Sequence, residues 1–273
     1  MILYKYFPEN INSLKALSCK SVWMNSALKM NDPLESLSLI SQEYSQEDLN
    51  QYRKHIKESE VITKSDWLNY NNEQLIECLN FLRRNILAGL CFSSFSEDYN
   101  NILMWSHYAS SHTGFCLAFE FSEDLLVEND LIKVKYSNKV DSLNIKSLMC
   151  DDNSPHKDLV EMKRDFYKSL TVKSPHWSYE KEWRKWGSSG YEDFDGRAKI
   201  VKIYFGYRID KEFENIVRNI LKSVELENIE IKYMDIQDNS TNLTTINEED
   251  YNKNFNKRQK LVEGTYVNIK SFI

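Results

Sequence analysis

Hydrophobic and polar positions alternate most regularly at Phe115, Leu117, Phe119 and Phe121, separated by Cys116, Ala118 and Glu120. This two-residue period predicts a strand. ILYKYF (2–7), SVWMN (21–25), KIVKIYFG (199–206) and IEIKYMDI (229–236) read as further strands, and LIKVKYS (131–137) as a half-exposed one. Helical spacing predicts a helix in NINSLKALSCK (10–20). A second starts at Ser45, which caps with Asp48 and aligns Leu49, Tyr52 and Ile56; a third starts near Asn71 or Asn72 and aligns Leu75, Leu79, Leu82 and Ile86. GLCFSSFSED returns to strand and turn, and Asp98 to Ser110 begins as a short helix. Ser154-Pro155 opens another helix, with Leu159, Met162, Phe166 and Leu170 buried. DKEFENIVRNILKSV is a capped amphipathic helix with Phe213, Ile216, Val217 and Ile220 inward, and the tail from Asn239 reads as a surface loop or a frayed end.

Strands in irregular order with grouped helices predict an α+β fold around a twisted, mostly antiparallel sheet. One domain spanning 1–273 is expected, with a helical insertion at about 42–88, because no Gly/Ser/Pro linker flanks those helices.

Composition narrows the chemistry. The net charge is −6, which gives no long-range attraction to nucleic acid or anionic membrane. Five irregularly spaced cysteines without a CxxC argue against a disulfide framework or zinc ribbon and fit a cytoplasmic protein. No apolar run reaches the ~20 residues of a membrane span. With only 7 glycines, the chain has neither a GxGxxG nor a Walker loop. His107 and His112 lack the spacing and acid of a helical zinc site, so no metal is expected.

Three polar clusters carry candidate chemistry. The first is Asn31-Asp32-Pro33-Leu34-Glu35, either a tight turn or a cleft-lining loop. The second joins Ser93 and Ser94 to Trp105, His107 and Tyr108; such rings wall a pocket for a flat ligand or fill a core corner. The third is HWSYEKEWRKW (176–186). If it is extended, Glu180 and Glu182 share one side beside Arg184, either as paired acids in a cleft or as an ion-pair ladder on a sheet.

The ordered set LYKY, NDPLE, CFSS, LMWSHYASSHTGFCLAFE, WSYEKEWR and IYFG, from Leu3 to about Ile231, resembles the bacterial domain of unknown function family numbered 2971. More remotely, the same order resembles the ADP-ribosyltransferase superfamily. That resemblance implies an ADP-ribosyltransferase-like fold with NAD as substrate. Lys5 and Tyr6 would form the first motif, Ser93 and Ser94 the second, and Glu180 and Glu182 the third. Lys5 stands where the superfamily usually carries His or Arg, and lysine lacks the bidentate fork of arginine. The resemblance implies that Glu182 stabilises the ribosyl cation while Glu180 assists the acceptor. Tyr6, Trp105 and Tyr108 would stack on rings, and His107, Ser93 and Asn31 would hydrogen-bond the nucleotide, with Arg184 nearby. The expected partners are a nucleotide and a macromolecular acceptor, in a toxin or phage-defence effector. Two other readings use the same pocket: a non-catalytic nucleotide or nucleic-acid sensor in bacterial defence, and a transferase acting on RNA 2′-phosphate.

Overall fold

The alternating segment at 115–121 forms a strand with a neighbour on each side. The computed structural model describes residues 1–32, 44–58, 69–127, 131–139, 167–168, 170–237 and 240–254. In chain order its principal elements are β1 (Ile2–Phe7), α1 (Ile11–Ser18), β2 (Val22–Ser26), α2 (Gln46–Glu58), α3 (Asn72–Gly89), β3 (Cys91–Ser96), α4 (Ile102–Tyr108) and β4 (Phe115–Phe121). There follow β5 (Leu131–Lys133), β6 (Lys135–Tyr136), β7 (Val172–Lys173), β8 (Glu182–Gly187), β9 (Gly190–Glu192), β10 (Ala198–Phe205), α5 (Lys211–Ser223), β11 (Glu230–Ile236) and β12 (Leu243–Ile246). The fold is mixed α/β with mostly antiparallel strand pairing. Two compact units emerge: Met1–Ser21 with Ser96–Phe121 and Ala198–Ile273, and Val22–Phe95 with Ser122–Arg197.

In the first unit the strand order is β12-β11-β10-β4-β1, antiparallel except between β10 and β11. That parallel pair is joined through α5, since same-direction neighbours need a crossover. Asp210 caps α5 by accepting from the N–H groups of Glu212 (2.8 Å) and Phe213 (3.2 Å), and Asn10 caps α1 in the same way. Phe213, Val217 and Leu221 form the buried stripe of α5. Ile216, expected inward, is 45% exposed, and Glu214 is buried in its place. Lys211, Arg218 and the Tyr233 hydroxyl all donate to the Glu214 carboxylate and satisfy it there. The Asn/Thr-rich tail, expected as a loop, supplies β12, because Tyr233–Ile236 offers it an edge to pair with.

β4 is buried on both faces. On one face Phe115 packs on Phe213 of α5, and Phe119 lies beside Phe121. Cys116 and Ala118, on the other face, are equally enclosed. On that side Tyr6, Cys116 and Tyr204 share one row and Tyr4, Ala118 and Lys202 the next; Tyr99 stacks on Tyr204 at 4.5 Å.

The second unit orders its strands β9-β2-β3-β8-β5, with β6 and β7 as a separate parallel pair. The expected helical insertion forms two helices here. Ser45 and Asp48 make the reciprocal capping box, and Leu49, Tyr52, Leu75 and Leu79 pack together. The expectations for Pro33, Leu34 and Glu35 and for Leu159, Met162 and Phe166 lie outside the described residues, as do the side chains of Ile56, Leu82 and Ile86. A second apolar cluster gathers Ala27, Phe92, Ile132, Leu170 and Trp186.

Candidate functional site

The strongest polar constellation lies within the second unit and is built around Glu182. The segment 176–186 is extended only from Glu182 onward. Ser174 caps and Pro175 opens a 3-10 helix, Pro175–Glu180, which ends on Lys181 at φ 45°, ψ 50°. Glu182 then begins β8. Lys181 is a non-glycine residue in the left-handed region, and it lets the chain leave a helix and enter a strand within one residue. The two acids therefore converge because of this kink, not because they alternate along a strand.

Both carboxylates meet at Lys173 on β7, whose ammonium donates to Glu180 Oε2 at 2.6 Å and Glu182 Oε2 at 3.2 Å. Arg184 lies two residues along β8, on the same face as Glu182, and grips it in bidentate fashion, Nε to Oε1 at 2.9 Å and a terminal nitrogen to Oε2 at 3.2 Å. Ser94 on β3 donates its hydroxyl to Glu182 Oε1 at 2.7 Å. The Glu182 backbone N–H donates to the Tyr136 hydroxyl at 2.8 Å. Aromatic faces complete the frame: the Lys173 ammonium sits 4.8 Å from the Trp177 ring centre and the Arg184 guanidinium 4.4 Å from that of Phe92. Two cations thus balance two carboxylates, which is how charges this deeply buried avoid a prohibitive desolvation cost.

The electrostatics favour a permanent anion. Burial alone would raise the Glu182 pKa. The positive charges of Arg184 and Lys173, with hydrogen bonds from Arg184 and Ser94, outweigh it and lower the carboxyl to about 2. For Lys173, burial pushes the pKa down, but Glu182 and Glu180 prevail and the ammonium titrates above its ordinary range. Such a carboxylate is unsuited to shuttling protons near neutrality, and suited to standing as a fixed negative charge.

The structure brings together Ser94, Glu180, Glu182 and Arg184. Ser93 points to the opposite face of β3, where its hydroxyl is buried without a hydrogen-bond partner among the described residues. The donors of Arg184, expected near the nucleotide, go to Glu182 and to the carbonyl of Leu170. Asn31 is exposed.

The remaining expected residues belong to the first unit. Trp105 is fully buried: its ring packs edge-on against Tyr6 at 5.3 Å and its indole N–H donates to the Tyr99 carbonyl at 2.7 Å. This ring is core and has no open face to stack on a ligand, which corrects that expectation. Tyr6 is buried as well, its hydroxyl donating to the Asp98 carbonyl. Lys5 points to the opposite face of β1, over Phe7, since neighbours along a strand face opposite ways. His107 is exposed and Tyr108 half-buried at the end of α4. After α4, Ser110, Ser111 and His112 all have positive φ (48°, 55° and 75°), a tight left-handed turn into β4.

Lys173, Tyr136 and Phe92 escaped the sequence reading. Lys173 belongs to no charge pattern, and Tyr136 looked like one more residue of a half-exposed strand. Only β6–β7 pairing sets them beside Glu182, although the Ser174-Pro175 helix start was a local sign that the acids follow a turn. Among the described residues no group of three or more His, Cys, Asp or Glu could hold a metal, and no helix is long and apolar enough to cross a membrane.

The model of a family described as "Protein of unknown function (DUF2971)" matches residues 104–185. The match is narrower than the motif order from Leu3 to Ile231, and it takes in Trp105, Tyr136, Lys173 and both acids. Neither the curated proteins nor the solved structures give a significant match.

Proposed function

We propose that the Glu180–Glu182 cluster supports glycosyl transfer with NAD as substrate, in the manner of an ADP-ribosyltransferase. The observation that carries this reading is the 2.7 Å hydrogen bond from Ser94 to Glu182, which joins the CFSS and YEKE motifs on one carboxylate. The nicotinamide–ribose bond breaks with its electron pair leaving on nicotinamide, and positive charge develops on the ribose. An acceptor atom then bonds to the anomeric carbon and releases its proton to solvent. A carboxylate locked in the ionised state stabilises that developing cation without reorganising. Glu180 lies beside it to orient the acceptor, and the half-buried Trp177 and Tyr179 provide flat apolar surface.

The test is nicotinamide release from NAD, followed chromatographically with candidate acceptors present. Glu182→Gln is expected to slow release by about 100-fold or more, the usual loss on removing one electrostatic stabiliser. NAD left intact by wild type, or cleaved equally fast by the variant, would overturn the proposal. The balance of two carboxylates by Lys173 and Arg184 favours one other reading, a nucleotide-binding sensor without turnover. Calorimetric binding of NAD with no nicotinamide released would select it.

A further inference from the structure

The donors around Glu182 are largely committed. The Ser94 hydroxyl and two positions of Arg184 serve Glu182, and the third position of Arg184 serves the Leu170 carbonyl. The Lys173 ammonium bridges both acids over the Trp177 ring. Tyr136 differs. Its oxygen accepts the Glu182 backbone N–H at 2.8 Å, which pins the phenol next to the site. Its own proton has no acceptor among the described residues, and the side chain is only half-buried. Burial, and secondarily the two nearby carboxylates, raise the phenol pKa, so it keeps that proton at physiological pH. A hydroxyl held by its lone pair and retaining its proton is a directed hydrogen-bond donor.

We infer that Tyr136 is a ligand-binding residue, donating its hydroxyl proton to a hydroxyl or ring oxygen of the sugar that Glu182 faces. The inference rests on the proposed NAD reading and names the residue that fixes the ribose against the carboxylate. Losing one neutral hydrogen bond of about 1 kcal/mol corresponds to about a fivefold weaker affinity.

The experiment titrates NAD calorimetrically into wild type, Tyr136→Phe, and protein carrying difluorotyrosine at 136, with melting curves to establish folding. Tyr136→Phe is expected to weaken NAD binding by about fivefold. The difluoro phenol is far more acidic, and its two roles then respond in opposite directions. Ionisation destroys a donor to ligand but strengthens an acceptor from the Glu182 N–H. Affinity falling with rising pH in the difluoro protein, but not in wild type, supports the assignment. Equal affinity of wild type and Tyr136→Phe, or binding by the difluoro protein that does not change across the pH range in which its own phenol absorbance shows it ionising, overturns it while leaving the NAD reading intact. A wild type that binds no NAD overturns both. Where Tyr136→Phe does not fold, the pH series on the difluoro protein decides alone.

Discussion

Replacing Glu182 by glutamine keeps the side-chain shape and an oxygen for Ser94, but removes the charge gripped by Arg184 and Lys173. The carboxyl is 3% exposed, so solvent screens the interaction little. Holding it at about 2 instead of the ordinary 4.5 corresponds to about 3 kcal/mol of folded-state stabilisation. The sign follows from linkage. The folded value lies below the unfolded one, so this contribution is complete above 4.5 and is lost as pH falls toward 2. Glu182→Gln should therefore cost about 3 kcal/mol at pH 7, in line with breaking one side of a buried pair. At pH 3 the carboxyl of the unfolded chain is largely protonated while the folded one stays mostly ionised, and the gap should narrow to roughly half or less. Urea unfolding followed by tryptophan fluorescence reads this well, since Trp23, Trp177, Trp183 and Trp186 all lie in the second unit. A gap below about 1 kcal/mol at pH 7, or one unchanged at pH 3, would refute the charge-cluster account.

Three further outcomes are expected. Trp105→Ala should cost about 3–5 kcal/mol in chemical denaturation because the ring is core; a stable variant with weakened NAD binding would make it a ligand wall instead. Lys181→Gly should stay within about 1 kcal/mol of wild type, as relief of the left-handed strain offsets added chain entropy, whereas Lys181→Val should lose about 1–2 kcal/mol; equal melting of the two variants would show that the kink is not set at this residue. A Cβ on Gly114 would lie 2.0 Å from the Phe7 carbonyl oxygen, so the backbone must move. Gly114→Ala should therefore lower stability by about 3 kcal/mol, and an unchanged melting temperature would contradict the close approach of these chains.

Local pattern was enough to reveal most elements. The alternation of 115–121, the Ser45–Asp48 capping box and the Asp210 cap are written in residues a few positions apart, and each forms where the pattern puts it. Helix faces were less legible. Ile216 and Glu214 exchange roles because three partners from the same unit make burying a carboxylate favourable, and side-chain hydropathy says nothing of those partners.

The chain by itself determined the strand and helix periods, the mostly antiparallel mixed architecture, and the presence of two acids beside an arginine. Those depend on spacing and residue type, which are local properties. Tertiary structure decided which polar groups meet. Trp105 became core because Tyr6 and the Tyr99 carbonyl close around it. Glu182 became a buried anion because Ser94, Tyr136 and Lys173, 88, 46 and 9 residues away in the chain, fold against it. A charge can stay ionised in the interior only where its counter-charges and donors are assembled, and that assembly belongs to strand pairing across long sequence distances rather than to any one motif.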